Sequence, residues 1–385
     1  MGSELETVAR FDEKVMSVWY TARSELLPQL TELWLGSPNM SVVQCALRFM
    51  HHGSQIVQDR WQLPVIPHRL QYLQHLELDA GSLSRSFMEQ VICAASCLKT
   101  LRVNGDISWV AFEHTSRAPE LRELRVNGVK LDDQDVPRMV LPSSTIFPHL
   151  EILKFDDYSE NKVVLRAFTS SAGTSRLRKV VCKTNRVSWL ACVDIVAGIA
   201  RFCTLVALDL RFFVSDVPEN EPFKQRAART ASILGPLRSL AALEQLRLAA
   251  GDFFTFEQAE LLRTLASWPH LRSLETGTHQ RGVTDVRPAL TLSSFGQVLA
   301  LCPKLTTFYA SIDCTAMPTQ EEIDEVARLR HPYTRPLVAY GVQDLTRWRE
   351  VWREALPHIA HIVDDKYEED LLWTANASME DSDFY

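Results

Sequence analysis

The stretch LKTLRVNG at residues 98–105 returns as LRELRVNG at residues 121–128. Arg102-Val103-Asn104-Gly105 thus recurs as Arg125-Val126-Asn127-Gly128 after 23 positions, each time behind Leu-x-x-Leu. An echo at such a spacing marks one supersecondary unit copied along the chain. Reading outward for Leu-x-x-Leu-x-Leu, with apolar substitutes, finds the phrase at Leu30, Leu33, Leu35, then Leu73, Leu76, Leu78, then Leu98, Leu101, Val103, then Leu121, Leu124, Val126. It continues at Leu150, Leu153, Phe155, then Leu177, Val180, Cys182, then Leu205, Leu208, Leu210, then Leu243, Leu246, Leu248. Weaker copies follow at Leu271, Leu274, Thr276 and at Leu305, Phe308, Ala310, and a degenerate one at Ile359, Ile362, Asp364. From Leu73 to Leu205 the first leucines lie 25, 23, 29, 27 and 28 residues apart; the later intervals are 38, 28, 34 and 54.

A second mark lies two positions before the first leucine, where Pro28, Pro119, Pro148, Pro269 and Pro303 stand in LPQL, APEL, FPHL, WPHL and CPKL. Proline there stops a helix and extends the chain into a strand. Between strands the sequence turns helical. Thr255-Phe256-Glu257-Gln258 fits a capping box ahead of the apolar stripe Ala259, Leu262, Leu265, Ala266, while Ser294 and Ser86-x-x-Glu89 open two further helices, the latter ending near Cys97. One short strand and one helix per repeat of this period define a leucine-rich repeat, whose apolar faces are covered only by stacking on neighbours. The fold expected is α/β, a leucine-rich-repeat solenoid with a curved parallel sheet and helices on its convex side. Residues 1–29 are expected to form an N-terminal capping helix, with Ser3-x-x-Glu6 as capping box and Val8, Phe11, Val15, Val18, Trp19, Ala22 and Leu26 on its apolar face. Repeats then fill 30–330, a C-terminal cap with a helix at Leu345–Trp352 fills 331–365, and 366–385 is an acidic tail.

Composition narrows the function classes. The chain has 385 residues, 46% hydrophobic and 23% charged, which is ordinary for a folded protein. Its net charge is -7 and no block of Lys and Arg forms a phosphate-neutralising stripe, so nucleic acid is not expected as a partner. No run of eighteen apolar residues occurs and the start MGSELETVARFDEK is acidic, so neither a membrane span nor a secretory leader is expected. The localisation expected is intracellular, cytoplasmic or nuclear. The eight cysteines are spaced too widely for a disulfide framework and read as reduced core thiols, the Cys93 and Cys97 pair included, since no second pair completes a zinc site. Phosphate-loop, dinucleotide, zinc-protease and serine-hydrolase signatures are all missing, and His51-His52 reads as a solvent-facing or capping pair. No catalytic residue, cofactor or metal ligand is assigned.

The phrases WPHLRSLET, LTLSSFGQVLALCPKLTTFYASIDC and DLTRWREVWREALPHI resemble the fungal F-box and leucine-rich-repeat proteins, particularly those of mushroom-forming fungi. The resemblance covers nearly the whole chain and rests on repeat phrasing. It implies an intracellular protein whose repeats hold a substrate for ubiquitination, with an F-box docking a Skp adaptor. No clear F-box is seen: Leu27-Pro28-Gln29-Leu30 looks like an opening and Gln58–Trp61 like an end, but the apolar pattern between them fits the first repeat better.

The function expected is therefore protein binding, as in the substrate-recognition part of an SCF-type ubiquitin ligase, and not catalysis; the alternative is an enzyme with a site built on the solenoid. In a strand written Leu-x-x-Leu-x-Leu, residues flanking the second leucine face away from the core. That rule selects Trp34, Arg102, Arg125, Lys154, Lys179, Arg247 and Tyr309 as concave-face, partner-binding residues. Four consecutive repeats contribute a cation, which points to a protein partner with an acidic segment.

Overall fold

The structure is a computed structural model that describes residues 7–11, 30–35, 73–79, 85–130, 147–155, 176–214, 223–249, 257–276, 289–309, 311–313, 316–331, 337–340, 345–356 and 362–364. It is an α/β chain in which each described strand register is parallel, and it divides into two compact units, Met1–Asn185 and Arg186–Tyr385.

The first unit carries strands β1 (Thr7–Phe11), β2 (Leu30–Leu35), β3 (His75–Asp79), β4 (Thr100–Ser108), β5 (Glu123–Lys130), β6 (Ile152–Phe155) and β7 (Lys179–Val187), the unit boundary falling inside β7. They lie side by side in chain order. Helices α1 (Arg85–Ala94) and α2 (Trp109–Ser116) pack on this sheet. In the register the second leucines meet strand by strand: Leu33 against Leu76, Leu76 against Leu101, Leu101 against Leu124, Leu124 against Leu153 and Leu153 against Val180. From Leu76 onward this row is buried, as is the next one from Leu78 through Phe155 to Cys182. Phe112 of α2 lies against Phe147 and Phe155, so the helix covers the leucine face of the sheet.

Strands start alike because of one repeated hydrogen-bond device. The residue after each first leucine offers its carbonyl to two successive N–H groups of the next repeat. Gln74 accepts from Lys99 and Thr100, Lys99 from Arg122 and Glu123, Arg122 from Glu151 and Ile152, and Glu151 from Arg178 and Lys179, all at 2.7 to 3.1 Å. The identical Arg-Val-Asn-Gly phrases, however, take two forms. Val103 pairs with Val126 but Asp106 pairs with Gly128, so Asn104 and Gly105 oppose Asn127 alone, and Gly105 takes φ 150°, which only glycine adopts readily.

The second unit repeats the plan. Strands β8 (Ala207–Val214), β9 (Gln245–Ala249), β10 (Ser273–Thr276) and β12 (Thr307–Tyr309) pair in that order, and β11 (Ala289–Leu290), β13 (Ser311–Asp313), β14 (Leu337–Tyr340) and β15 (Ile362–Asp364) form a four-stranded sheet. The double acceptor recurs at Val206, Glu244 and Arg272. Helices α3 (Trp189–Ile199), α4 (Phe223–Leu237), α5 (Gln258–Leu265), α6 (Leu292–Leu301), α7 (Gln320–Arg328) and α8 (Leu345–Ala355) complete the unit. Phe295 of α6 stacks on Phe308 of β12 and meets Trp352 of α8 edge-on, which ties that helix to the core. Pro269 and Pro303 sit in β-turns closed by the first leucine: Leu271 N–H reaches the Trp268 carbonyl over Pro269, and Leu305 N–H reaches the Cys302 carbonyl over Pro303. Proline thereby fits a position whose φ it already satisfies.

Several expectations are corrected. Where a helix was expected over 3–26, Thr7–Phe11 is a strand paired with Leu30–Leu35; Thr7, Val8 and Phe11 favour extended backbone and give β2 a partner. The rest of that segment lies outside the described residues, as do His51-His52, Thr255 and the 366–385 tail. Glu257 is the N-cap of α5 and makes no side-chain cap bond. Helix α6 is capped by Thr291, whose hydroxyl accepts from Ser294 N–H, so Ser294 lies inside the first turn. Ser86 likewise sits within α1, which ends at Ala94. The 54-residue interval conceals a further strand, β14, between Leu305 and Ile359. The terminal helix is present as α8. Among the described cysteines, Cys182, Cys192 and Cys302 are buried as core thiols; Cys93 is half-buried, and Cys97 and Cys203 are exposed because they fall in the turns after helices. Cys45 and Cys314 lie outside the described residues.

Candidate functional site

The strand register arranges the residues between the leucines into rows on the face away from the helices. One row runs His75, Thr100, Glu123, Ile152, Lys179, with Glu32 next in backbone register; the other runs Glu77, Arg102, Arg125, Lys154, Val181. Arg102, Arg125 and Lys154 are therefore immediate cross-strand neighbours. Three cations at strand spacing repel one another unless a counter-charge intervenes. Glu123 supplies it, with Oε1 2.8 Å from Arg102 Nε and 2.5 Å from Arg125 Nε. Arg102 stays nearly half exposed, whereas Arg125 is only 16% exposed and is held in place by the pair.

Lys179 lies on the same face but in the other row, beside Ile152, so the fourth place in the cationic row belongs to Val181, 4% exposed. In the second unit Arg247 is flanked by Asp209 and Glu275 and bonds Glu275 at 3.0 Å. It belongs to an alternating charge ladder and adds nothing to a cationic strip. Asp209 itself is buried and accepts two hydrogen bonds from Arg211, at 3.1 and 3.0 Å. Ala207 and Thr307, at equivalent positions, are buried as well. Trp34 pairs in register with Glu77, and Tyr309 with Glu275; their side chains lie outside the described set.

A groove of about 430 Å³ opens in the first unit beside the cationic row, lined by His75, Thr100, Glu123 and Ile152 together with Lys99, Arg122 and Glu151. The last three follow the first leucine of their phrases, a position the strand-alternation rule passes over. Their charge was the available signal: Lys99, Arg122, Glu151 and Arg178 occupy that place in four consecutive repeats. Arg122 reaches Glu151 at 3.6 Å, a solvent-screened contact.

Titratable groups with shifted behaviour lie away from this face. Burial pushes the Cys302 thiol up to about 12 and raises Cys93, aided by Glu89, so neither is a ready nucleophile. Burial lowers the pKa of His331 against a weaker opposing hydrogen bond with the Cys302 carbonyl, 3.0 Å from Nε2. Burial and then Arg117 lower that of His114. Among the described residues, no three His, Cys, Asp or Glu side chains are grouped to hold a metal ion, and no helix is long and apolar enough to cross a membrane. The chain matches no family model and no curated protein.

Proposed function

We propose that the chain is a leucine-rich-repeat solenoid that holds another protein on the face of its sheet opposite the helices, serving as the substrate-recognition part of an SCF-type ubiquitin ligase. One observation carries the binding role: in the first unit the leucine rows are buried while the residues between them form ordered rows that bring Arg102, Arg125 and Lys154 side by side, with a groove beside them. Core packing needs the leucines alone. Charge laid out in register on the opposite face gives a rigid, pre-organised surface that can read an extended partner without paying to order itself. The ligase role rests on the phrase-level resemblance, and the adaptor contact is expected to be weak because Leu30–Leu35 is a strand of the sheet.

Site-specific photo-crosslinking tests the binding role. The full chain carrying a crosslinker at Lys154 is expected to trap a defined protein in cell extract, and the same group at Arg226, exposed in part on α4, is not. Equal trapping from both positions means that the sheet face is not a recognition surface. A purified Skp adaptor tests the second part, since tight stoichiometric binding restores an F-box to the N-terminal residues.

A further inference from the structure

The cationic row and the groove belong to one patch with an unusual charge balance. At the three outward positions of each phrase, β4 to β7 present Lys99, Arg122 and Arg178 after the first leucine, then Lys179, then Arg102, Arg125 and Lys154. Against these seven cations stand two carboxylates, Glu123 and Glu151, so these twelve positions carry +5 in a protein of net charge -7, while Glu77 of β3 stands beside Arg102 at the edge of the patch. The same positions on β8, β9, β10 and β12 hold Arg247 and Arg272 against Asp209, Glu244 and Glu275, a balance of -1. The excess is thus confined to one stretch of repeats, as expected of a recognition surface and not of a solubilising one.

Resting on the binding role proposed above, we infer that this patch takes an extended acidic peptide segment of a partner protein, with one aliphatic side chain among its carboxylates. Three features select that class. The two carboxylates sit inside the patch, where Glu123 fixes two guanidiniums side by side; they would repel a continuous phosphate backbone but leave room for carboxylates spaced along a peptide. The groove contains Ile152, half-buried, as the apolar member of its lining, a seat for an aliphatic side chain. No aromatic stands at any of the twelve positions, so the patch lacks a platform on which bases would stack. Four strands about 4.8 Å apart span roughly 15 Å, the length of four or five extended residues.

The test uses the full chain and fluorescence anisotropy with four labelled probes: a dodecapeptide alternating Glu with Leu, its Gln counterpart, an oligothymidylate, and a peptide of residues 364–385 of this chain. The variant is Lys154→Glu with Arg178→Glu, chosen because Arg125 is locked in the ion pair; its urea midpoint is compared with the parent, and Lys154→Gln with Arg178→Gln serves if the reversal unfolds it. The expected result is that the Glu peptide binds at least tenfold more tightly than the Gln peptide, loses at least tenfold in the reversal variant, and weakens as salt rises. Equal binding by parent and folded variant overturns the inference. Tighter binding of the oligothymidylate, or of the 364–385 peptide, also overturns it, assigning the patch to nucleic acid or to the chain's own terminus. If the Gln peptide binds as well as the Glu peptide and Ile152→Arg abolishes both, the acidic class fails while the protein-binding face stands.

Discussion

A methyl group on Gly296 would lie 2.7 Å from Cγ2 of Val326, closer than packed carbons approach. Helices α6 and α7 meet at this point, and Val326 is buried with a β-branched side chain that has few rotamers to retreat into. Alanine is the better helix former by about 1 kcal/mol. Overpacking in a closed core typically costs about 1 to 3 kcal/mol. Gly296→Ala is therefore expected to lower the denaturation midpoint in the parent and to raise it in a Val326→Ala background, where the clash is relieved and the helix preference remains. Additive effects in that double-mutant cycle mean that the contact is not tight.

Trp268 illustrates how successive repeats of the second unit satisfy one another. Its indole N–H donates to the Leu237 carbonyl at the end of α4, 3.0 Å away in the buried interior. A helix end leaves such carbonyls without intrahelical partners. Trp268→Phe keeps most of the apolar volume and leaves the carbonyl with the Leu240 N–H as its remaining donor, so a loss of about 0.5 to 1.5 kcal/mol, the net value of one hydrogen bond, is expected in equilibrium unfolding. A change below about 0.5 kcal/mol means that another donor takes over.

His331 is 6% exposed, and burial holds its imidazole below the usual pKa. The unfolded chain takes up a proton near pH 6.5 while the folded one resists, so the unfolded state binds more protons in between. Stability from this group is complete above the unfolded value and is lost as pH falls toward the lowered folded value. The slope is at most about 1.4 kcal/mol per pH unit for one proton. Half-buried His114 shifts in the same direction and adds to it. Urea midpoints measured between pH 7.5 and 5 are expected to fall in the parent and to fall less steeply in His331→Gln. Equal slopes sink the assignment to His331.

The strand register was readable in the sequence because it depends on one local rule, that leucines three and then two residues apart turn to the same side. Prolines and caps were less so. Pro119, Pro269 and Pro303 follow described helix ends, as expected, but Thr291, Ser108 and Ser188 cap their helices three residues before the N–H they accept from, and many serines and threonines compete for that role. Strand β14 was missed because Leu337-Val338-Ala339-Tyr340 lacks the leucine phrase, its place being fixed by pairing with β13 and β15. At the candidate site, outward placement of Arg102, Arg125 and Lys154 followed from alternation. That Glu123 links two of them depends on side-chain reach across strands, and that Arg247 lies between two acids depends on register, which a single phrase does not encode.

Leu153 and Lys154 are neighbours in sequence and face opposite sides of β6, which separates the two jobs of the strand. Leu153 is fully buried between Leu124 and Val180 in the ladder. Truncating it to alanine removes apolar contacts and leaves a cavity between rigid strands that cannot close over it, so Leu153→Ala is expected to destabilise by about 2 to 5 kcal/mol. Lys154 is half-buried in the outward row beside Arg125. Reversing its charge removes one repulsion from a cationic row, and Lys154→Glu is expected to shift stability by less than about 1 kcal/mol, in line with surface changes elsewhere. Its effect should appear in binding, as a loss of acidic-peptide affinity that shrinks at high salt, whereas Leu153→Ala should leave the affinity of the folded fraction unchanged. Unfolding curves and peptide titrations on the same two proteins decide the matter. If Lys154→Glu unfolds the chain, or if Leu153→Ala weakens binding at full folding, the core face and the recognition face are not separable along β6.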